Sequence, residues 1–321
     1  MSFNKVIGQD LAADLLKKAI EDNRLAHAYL FIGPEGVGKS LLAGIFAKAL
    51  NCEKKETSPC EECISCKKIS SGIHPDVATI LPEGKSLRIG IDSIRKMEAS
   101  MSLKPYEART KVFIIDGADS MTEESANSLL KTLEEPPKDT VMILLASNLF
   151  KMQPTIISRC QKVLFHPLSE RSIMKELVER YGLDEKKALC IARFSEGRLG
   201  KAVEVIEGRA LEDRNRIIDD FLSPKQAGYE DTWLYGEPRD KVNEALNALA
   251  VYFRDLLVFG LSGDEKLLVN LDKAADIARD SAKFSAEKLE AIISSIAAAQ
   301  EEIRRNANIK IALSFMRLNI T

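Results

Sequence analysis

Two rhythms of hydrophobic and polar residues divide the chain. Up to Pro167, short apolar runs alternate with segments of helical period; beyond it no long strand-like run recurs and helical spacing continues to the end. The runs are AYLFI (Ala28–Ile32), a buried-type strand between the prolines of HPDVATILP, residues 112–115, residues 141–148 and a last short strand after Arg159. Helices are predicted where apolar residues recur at Leu11, Leu15, Leu16 and Ile20, at Ile91, Ile94, Met97 and Met101, and in LLAGIFAKAL. MTEESANSLLKTLEEPP is a further helix, with Thr122 as its cap and Pro136-Pro137 as its stop.

After Pro167, residues 169–181, 184–194 and 198–206 form three short helices punctuated by Gly182 and Gly197. From about residue 208 the pattern is helical throughout. Val242, Leu246, Leu249, Phe253, Leu256 and Leu257 give one broad buried face, and Ser285 caps the next long helix. Residues 223–240, polar and holding Trp233 and two prolines, are a connecting loop.

The chemistry concentrates in GPEGVGKS, residues 33–40, between the AYLFI strand and the LLAGIFAKAL helix. Gly33, Gly36 and Gly38, with Val37 between the last two, supply backbone conformations that other residues resist, so the loop's N–H groups can curl around a phosphate. Lys39 reaches the outer phosphates and Ser40 holds magnesium. Asp116 ends the strand at 112–115, where such sites place the carboxylate that orients hydrated magnesium. The next position, often a glutamate that polarises the attacking water, is Gly117, and Asp119 is the one nearby carboxylate that could substitute. General-base assistance is worth about two to four orders of magnitude in rate. The expectation is therefore nucleotide binding with little or no hydrolysis. Asn148, at the tip of another strand, reads equally as a sensor of the terminal phosphate or as a satisfied turn residue.

Six cysteines change the picture again. Cys52, Cys60, Cys63 and Cys66 cluster at spacings that suit tetrahedral zinc, while Cys160 and Cys190 stand apart. A closed four-thiolate site is structural rather than catalytic. His74 lies outside this spacing and reads as a turn or capping residue. Hydrophobic residues at 45% and charged residues at 29% describe a globular protein, and 321 residues predict two or three compact units. No apolar run approaches membrane-spanning length and the N-terminus lacks a secretory layout, so a cytoplasmic location is expected, with no membrane partner. A net charge of −2 argues against a chain that coats nucleic acid by itself.

GPEGVGKS, the cysteine cluster, SANSLLKTLEEPP and SRC stand in the order and spacing of the bacterial clamp-loader AAA+ proteins of DNA polymerase III. The chain resembles their delta-prime type, with gamma/tau as the close relative. The resemblance implies an α/β then all-α fold: a P-loop domain with a five-stranded parallel sheet over 1–167, a three-helix lid over 168–207 and a helical collar over 208–321 through which five subunits assemble. It implies that Val6 and Ile7 border an adenine, that ATP or ADP with Mg2+ sits on Gly36, Gly38, Lys39 and Ser40, and that Zn2+ is held by the four clustered cysteines. Arg159, within Ser158-Arg159-Cys160, is by the same resemblance an arginine supplied in trans to a neighbour's ATP.

Three departures favour delta-prime over gamma/tau. Gly117 stands for a glutamate, Gly200 in GRLGKA stands for a lid arginine, and 321 residues leave no extended linker for polymerase or helicase. Against this, some delta-prime chains lack the phosphate loop, which is intact here. The expected partners are gamma/tau and delta in a hetero-pentamer, the sliding clamp, and primed DNA through the assembled complex. The rivals are a gamma/tau-type ATPase and, in another class, a standalone zinc-dependent nucleic-acid-binding module.

Overall fold

The computed structural model describes residues 3, 6–54, 56–84, 87–208, 210–222 and 233–320. Its first half runs α1 (Asp10–Glu21), β1 (Ala28–Ile32), α2 (Lys39–Asn51), α3 (Ile64–Ser70), β2 (Val77–Ile80), α4 (Ile91–Met101), β3 (Lys111–Asp116), α5 (Glu123–Glu134), β4 (Thr140–Ala146), α6 (Pro154–Ile157) and β5 (Gln161–Leu164). The strands form one parallel sheet in the order β2-β3-β4-β1-β5. Alternate side chains feed two cores. Tyr29, Phe31, Ile114 and Ile143 pack with α1 and α2, whereas Leu30, Phe113, Ile115 and Leu144 pack with α4, α5 and α6. With helices on both faces the inner strands have no polar side, which is why they read as continuous apolar runs.

Two expectations change at the periphery. β2 is an edge strand whose residues are half-buried or exposed, so the run between the prolines is not buried; among the described residues no strand pairs with its outer flank. On α1 the buried stripe is Ala12, Ala13, Leu16 and Ala19, while Leu11 is 83% exposed. The predicted periodicity was right for Leu16 and displaced for Leu11, because small alanines let the helix lie close to the sheet.

The remainder comprises α7 (Glu170–Tyr181), α8 (Glu185–Phe194), α9 (Leu199–Glu207), α10 (Ala210–Leu222), α11 (Arg239–Ser262), α12 (Ala274–Ser281), α13 (Ala286–Arg304) and α14 (Ile309–Ile320). The chain divides into two compact units, Met1–Ser172 with Glu196–Gly200, and Ile173–Ser195 with Lys201–Thr321. Residues 173–195 and 201–207 fall in the second unit, and 196–200 in the first.

In the second unit α11 buries Val242, Leu246, Leu249, Phe253 and Leu256 among Ile277, Leu289, Ile292 and Leu313 of α12, α13 and α14. The Phe253 ring lies edge-on to Phe221 at 5.7 Å and to Phe284 at 6.2 Å. Lys241–Ser262 is long and apolar enough to cross a membrane, contrary to the expectation that no run approaches that length. Its apolar positions are nevertheless the ones that fill this core. Asp255, within the same stretch, is buried and accepts from the N–H groups of Val269 and Asn270. Trp233–Gly236 forms a short 3-10 turn at the end of the expected loop; residues 223–232 of that loop lie outside the described residues.

Candidate nucleotide site and metal centre

Parallel strands deliver their carboxyl ends to one edge of the sheet, and the loops after β1, β3 and β4 meet there. The loop after β1 is drawn tight. Gly36 and Gly38 have φ of +76° and +100°, conformations that a Cβ disfavours. Gly33 does not share them, which corrects the expectation for that glycine. Its constraint is space: a Cβ there would come within 2.5 Å of the Phe165 carbonyl oxygen.

Gly38 caps α2 without any side-chain acceptor, so the first N–H groups of that helix face the loop and can take a phosphate. Lys39 is buried, and its Nζ donates to the carbonyl of Gly33, to that of Pro34 at 2.7 Å and to Ser147 Oγ at 3.4 Å. Burial lowers the Lys39 pKa, and the charges of Asp116, Glu35 and Asp119 oppose that shift. The ammonium therefore sits among acceptors that phosphate oxygens can replace. Ser40, the second residue of α2, is exposed at the same end of the helix.

Val6 is buried with Cγ1 3.8 Å from where a Gly38 Cβ would stand, and Ile7 is half-buried beside it in sequence. The flanking Gln9 escaped the sequence reading. Its amide donates to Val37 O at 3.3 Å and to His166 O at 2.7 Å, and accepts from His166 N–H, tying the N-terminal segment to the phosphate loop and to the end of β5. A glutamine directly before a predicted helix start was the available signal.

Asp116 closes β3 opposite Leu145 of β4, at the same edge as Gly33. Gly117 turns the chain with φ +79°, and Ala118–Ser120 forms a 3-10 turn. Asp119 Oδ2 accepts from Asn148 N–H at 2.9 Å, and Asn148 Oδ1 accepts from Phe150 N–H at 2.9 Å, capping the turn Leu149–Lys151. The Asn148 carbonyl oxygen thus has a structural partner, and its backbone is held by Asp119. Gly200 completes this side of the first unit. Its N–H donates to Gly36 O at 2.8 Å, and a Cβ on it would meet Gly36 Cα at 2.9 Å.

Arg159 is elsewhere. Tyr29 of β1 pairs with Gln161 of β5, so Arg159 falls near the level of His27, six residues before Gly33 and about 20 Å from it along the strand direction. The guanidinium donates to Thr155 O at 2.9 Å and to Glu134 Oε1 at 2.7 Å and remains partly exposed. Next to it Cys160 is buried, which pushes its thiol up to about 12.

The four clustered cysteines come together at the far end of α2. Cys52 follows the last residue of that helix, and all four sulfurs lie within 4.8 Å of one another. A tetrahedral ion with bonds of about 2.3 Å spaces its sulfurs by about 3.8 Å, so the set fits one metal. Cys60, Cys63 and Cys66 direct their N–H groups at the sulfurs of Cys52, Cys60 and Cys63 at 3.3 to 3.4 Å. The backbone N–H groups of Cys63 and Glu62 bring the Cys60 thiol down to about 6, whereas burial pushes Cys66 and Cys52 up. Asn51 and Arg109 bind the cluster to the start of β3, Arg109 Nη2 donating to Cys52 O at 2.6 Å. His74 is a buried turn residue whose Nδ1 accepts from Asp76 N–H.

A family model described as DNA polymerase III, delta subunit, matches residues 8–169. The DNA polymerase III subunit delta' of Bacillus subtilis (strain 168) is 31% identical over 304 residues, covering 92% of this chain and 91% of that protein. The chain belongs to the DNA polymerase III delta-prime family. Subunit tau of the same organism is 36% identical over 211 residues, 64% of this chain and 37% of tau. A gamma subunit-related protein of Thermotoga maritima, a solved structure, covers 96% of this chain and 98% of its own at 19% identity and a TM-score of 0.42. The match to the delta' subunit covers nine-tenths of both chains, whereas the tau match covers 64% of this chain and 37% of tau.

Proposed function

We propose that this chain is a clamp-loader subunit of delta-prime type in the bacterial replicase, cytoplasmic, and assembled with gamma/tau and delta through residues 208–321, with 168–207 as its lid. It binds ATP or ADP through Gly33, Gly36, Val37, Gly38, Lys39 and Ser40, with Val6 and Ile7 beside the base and Asp116 and Asn148 toward the outer phosphates. Magnesium, when bound with the nucleotide, supplies charge neutralisation there. The chain's own part is to bind and orient: Lys39 exchanges loop carbonyls for phosphate oxygens, and Asp116 is the carboxylate that would hold the hydrated ion. Gly117 offers no proton acceptor, and Asp119 is engaged with Asn148 N–H. Binding with little or no turnover is the reading these positions support.

The colinear match to a delta-prime subunit over nine-tenths of both chains carries this reading. Its position at the opposite edge of the sheet from Gly33 supports a role for Arg159 on a neighbour's nucleotide, because it cannot reach its own. The cysteine cluster holds Zn2+ as a structural ion, consistent with its all-sulfur donor set. The sliding clamp and primed DNA are the assembly's substrates. Native mass measurement of this chain mixed with gamma/tau and delta tests the reading: a hetero-oligomer containing it is expected, and a chain that stays alone overturns it.

The intact phosphate loop and the tau match favour a second reading, a gamma/tau-type ATPase. Robust ATP turnover by the purified chain would establish that alternative.

A further inference from the structure

The segment between Asp116 and Met121 does more than omit a glutamate. Gly117 combines φ +79° with crowding: a Cβ there would stand 3.0 Å from Pro82 Cγ and 3.4 Å from Ser120 Oγ. Ser120 N–H and Ser120 Oγ both donate to the Gly117 carbonyl, at 2.8 and 2.7 Å. The turn is fastened from outside as well. Ile89 N–H donates to Ser120 O, and Thr122 N–H donates to Ile89 O. A side chain at position 117 therefore meets strain in the backbone, a proline ring on one flank and a twice-bonded carbonyl within the turn. From within this turn the Asp119 carboxylate accepts Asn148 N–H.

We propose that the Gly117–Ser120 turn is a brace in which Asp119 is a positioning residue: it holds Asn148 of the β4 tip in register with Asp116 of the β3 tip, so that the site distinguishes ATP from ADP, and the same turn bars a general base from position 117. The inference rests on the nucleotide reading above and extends it. A carboxylate bonded to a backbone N–H is a charge-assisted contact of the stronger kind. Its loss frees the Asn148 backbone, and the expected effect is on discrimination of the terminal phosphate rather than on binding of the base.

The test uses the full chain and its Asp119→Ala, Asp119→Asn, Gly117→Ala and Gly117→Glu variants. MgATP and MgADP affinities are measured by calorimetry, phosphate release by a coupled assay, and thermal midpoints for each variant. In Asp119→Ala the ATP-to-ADP affinity ratio is expected to fall about tenfold, the size of a charge-assisted hydrogen bond. Asp119→Asn, whose side-chain oxygen still accepts from Asn148 N–H, restores the ratio to within about twofold of the parent. Gly117→Glu gains no phosphate release, although a working base would add about a hundredfold or more, and Gly117→Ala and Gly117→Glu both melt earlier than the parent. An unchanged ratio in Asp119→Ala, a loss that Asp119→Asn does not rescue, or turnover in Gly117→Glu overturns the brace. A parent chain that binds neither nucleotide overturns the nucleotide reading itself, and this inference with it.

Discussion

Nη2 of Arg159 donates to Oε1 of Glu134 at 2.7 Å, joining the segment ahead of β5 to the last turn of α5 at the edge of the sheet remote from Lys39. An exposed pair of this kind contributes about 0–1 kcal/mol, so it orients the guanidinium without locking it. Arg159→Ala is expected to leave the melting temperature of the isolated chain and its entry into the assembly intact. ATP turnover at the neighbouring subunit's site should fall about a thousandfold, the lower end of the range for arginine fingers. Steady-state ATPase and clamp-loading assays on the reconstituted assembly check this, and undiminished rates would remove Arg159 from the mechanism.

The sulfur cluster gives a second expectation. The purified chain should carry one zinc per molecule by atomic emission. Cys66→Ser, which removes a buried ligand beside Cys52, should release the ion and lower the thermal midpoint. Chelation should reproduce the shift in the parent chain. A metal-free parent with an unaltered midpoint would make these four residues ordinary thiols.

Gly200 touches Gly36 so closely that even a methyl group must displace the loop. Overpacking of this sort costs about 1–3 kcal/mol. Gly200→Ala should weaken nucleotide binding and lower the midpoint, and Gly200→Arg should do so more strongly instead of rebuilding a phosphate contact. Equilibrium binding with a fluorescent nucleotide reads the difference directly.

In the helical unit, burial alone would raise the Asp280 carboxyl, but Arg279, Lys283 and the Tyr252 hydroxyl outweigh it and hold the pKa at about 2. A carboxyl depressed below its unfolded value of about 3.9 stabilises the fold fully above that value. The contribution disappears as pH falls through about 2. Asp280→Asn should therefore be less stable than the parent at neutral pH, with the gap closing between about pH 4 and 2. Denaturant unfolding along a pH series measures it, and a gap independent of pH would contradict the assignment.

The sheet and the phosphate loop were legible because each leaves a local mark: strands covered on both faces become unbroken apolar runs, and a phosphate cradle fixes its glycines and lysine at set spacing. Thr122 and Ser285 were likewise readable as caps, and both side chains accept from the N–H three residues on. What stayed hidden depends on partners distant in the chain. Gln9 meets His166, Asp119 meets Asn148 and Gly200 meets Gly36 only once the sheet has formed. The placement of Arg159 follows from β5 lying parallel to β1, which no local pattern encodes. Leu11 misled because amphipathic spacing identifies a helix more reliably than it fixes the rotation of its buried face.

α2 begins at the phosphate loop and ends on Cys52, thirteen residues and about 20 Å later. The helix is consequently tethered at its tail by the sulfur cluster and at its head by the glycine turn. One thirteen-residue helix thus spans the distance between the glycine turn and the sulfur cluster, so a displacement at either end is felt along its whole length.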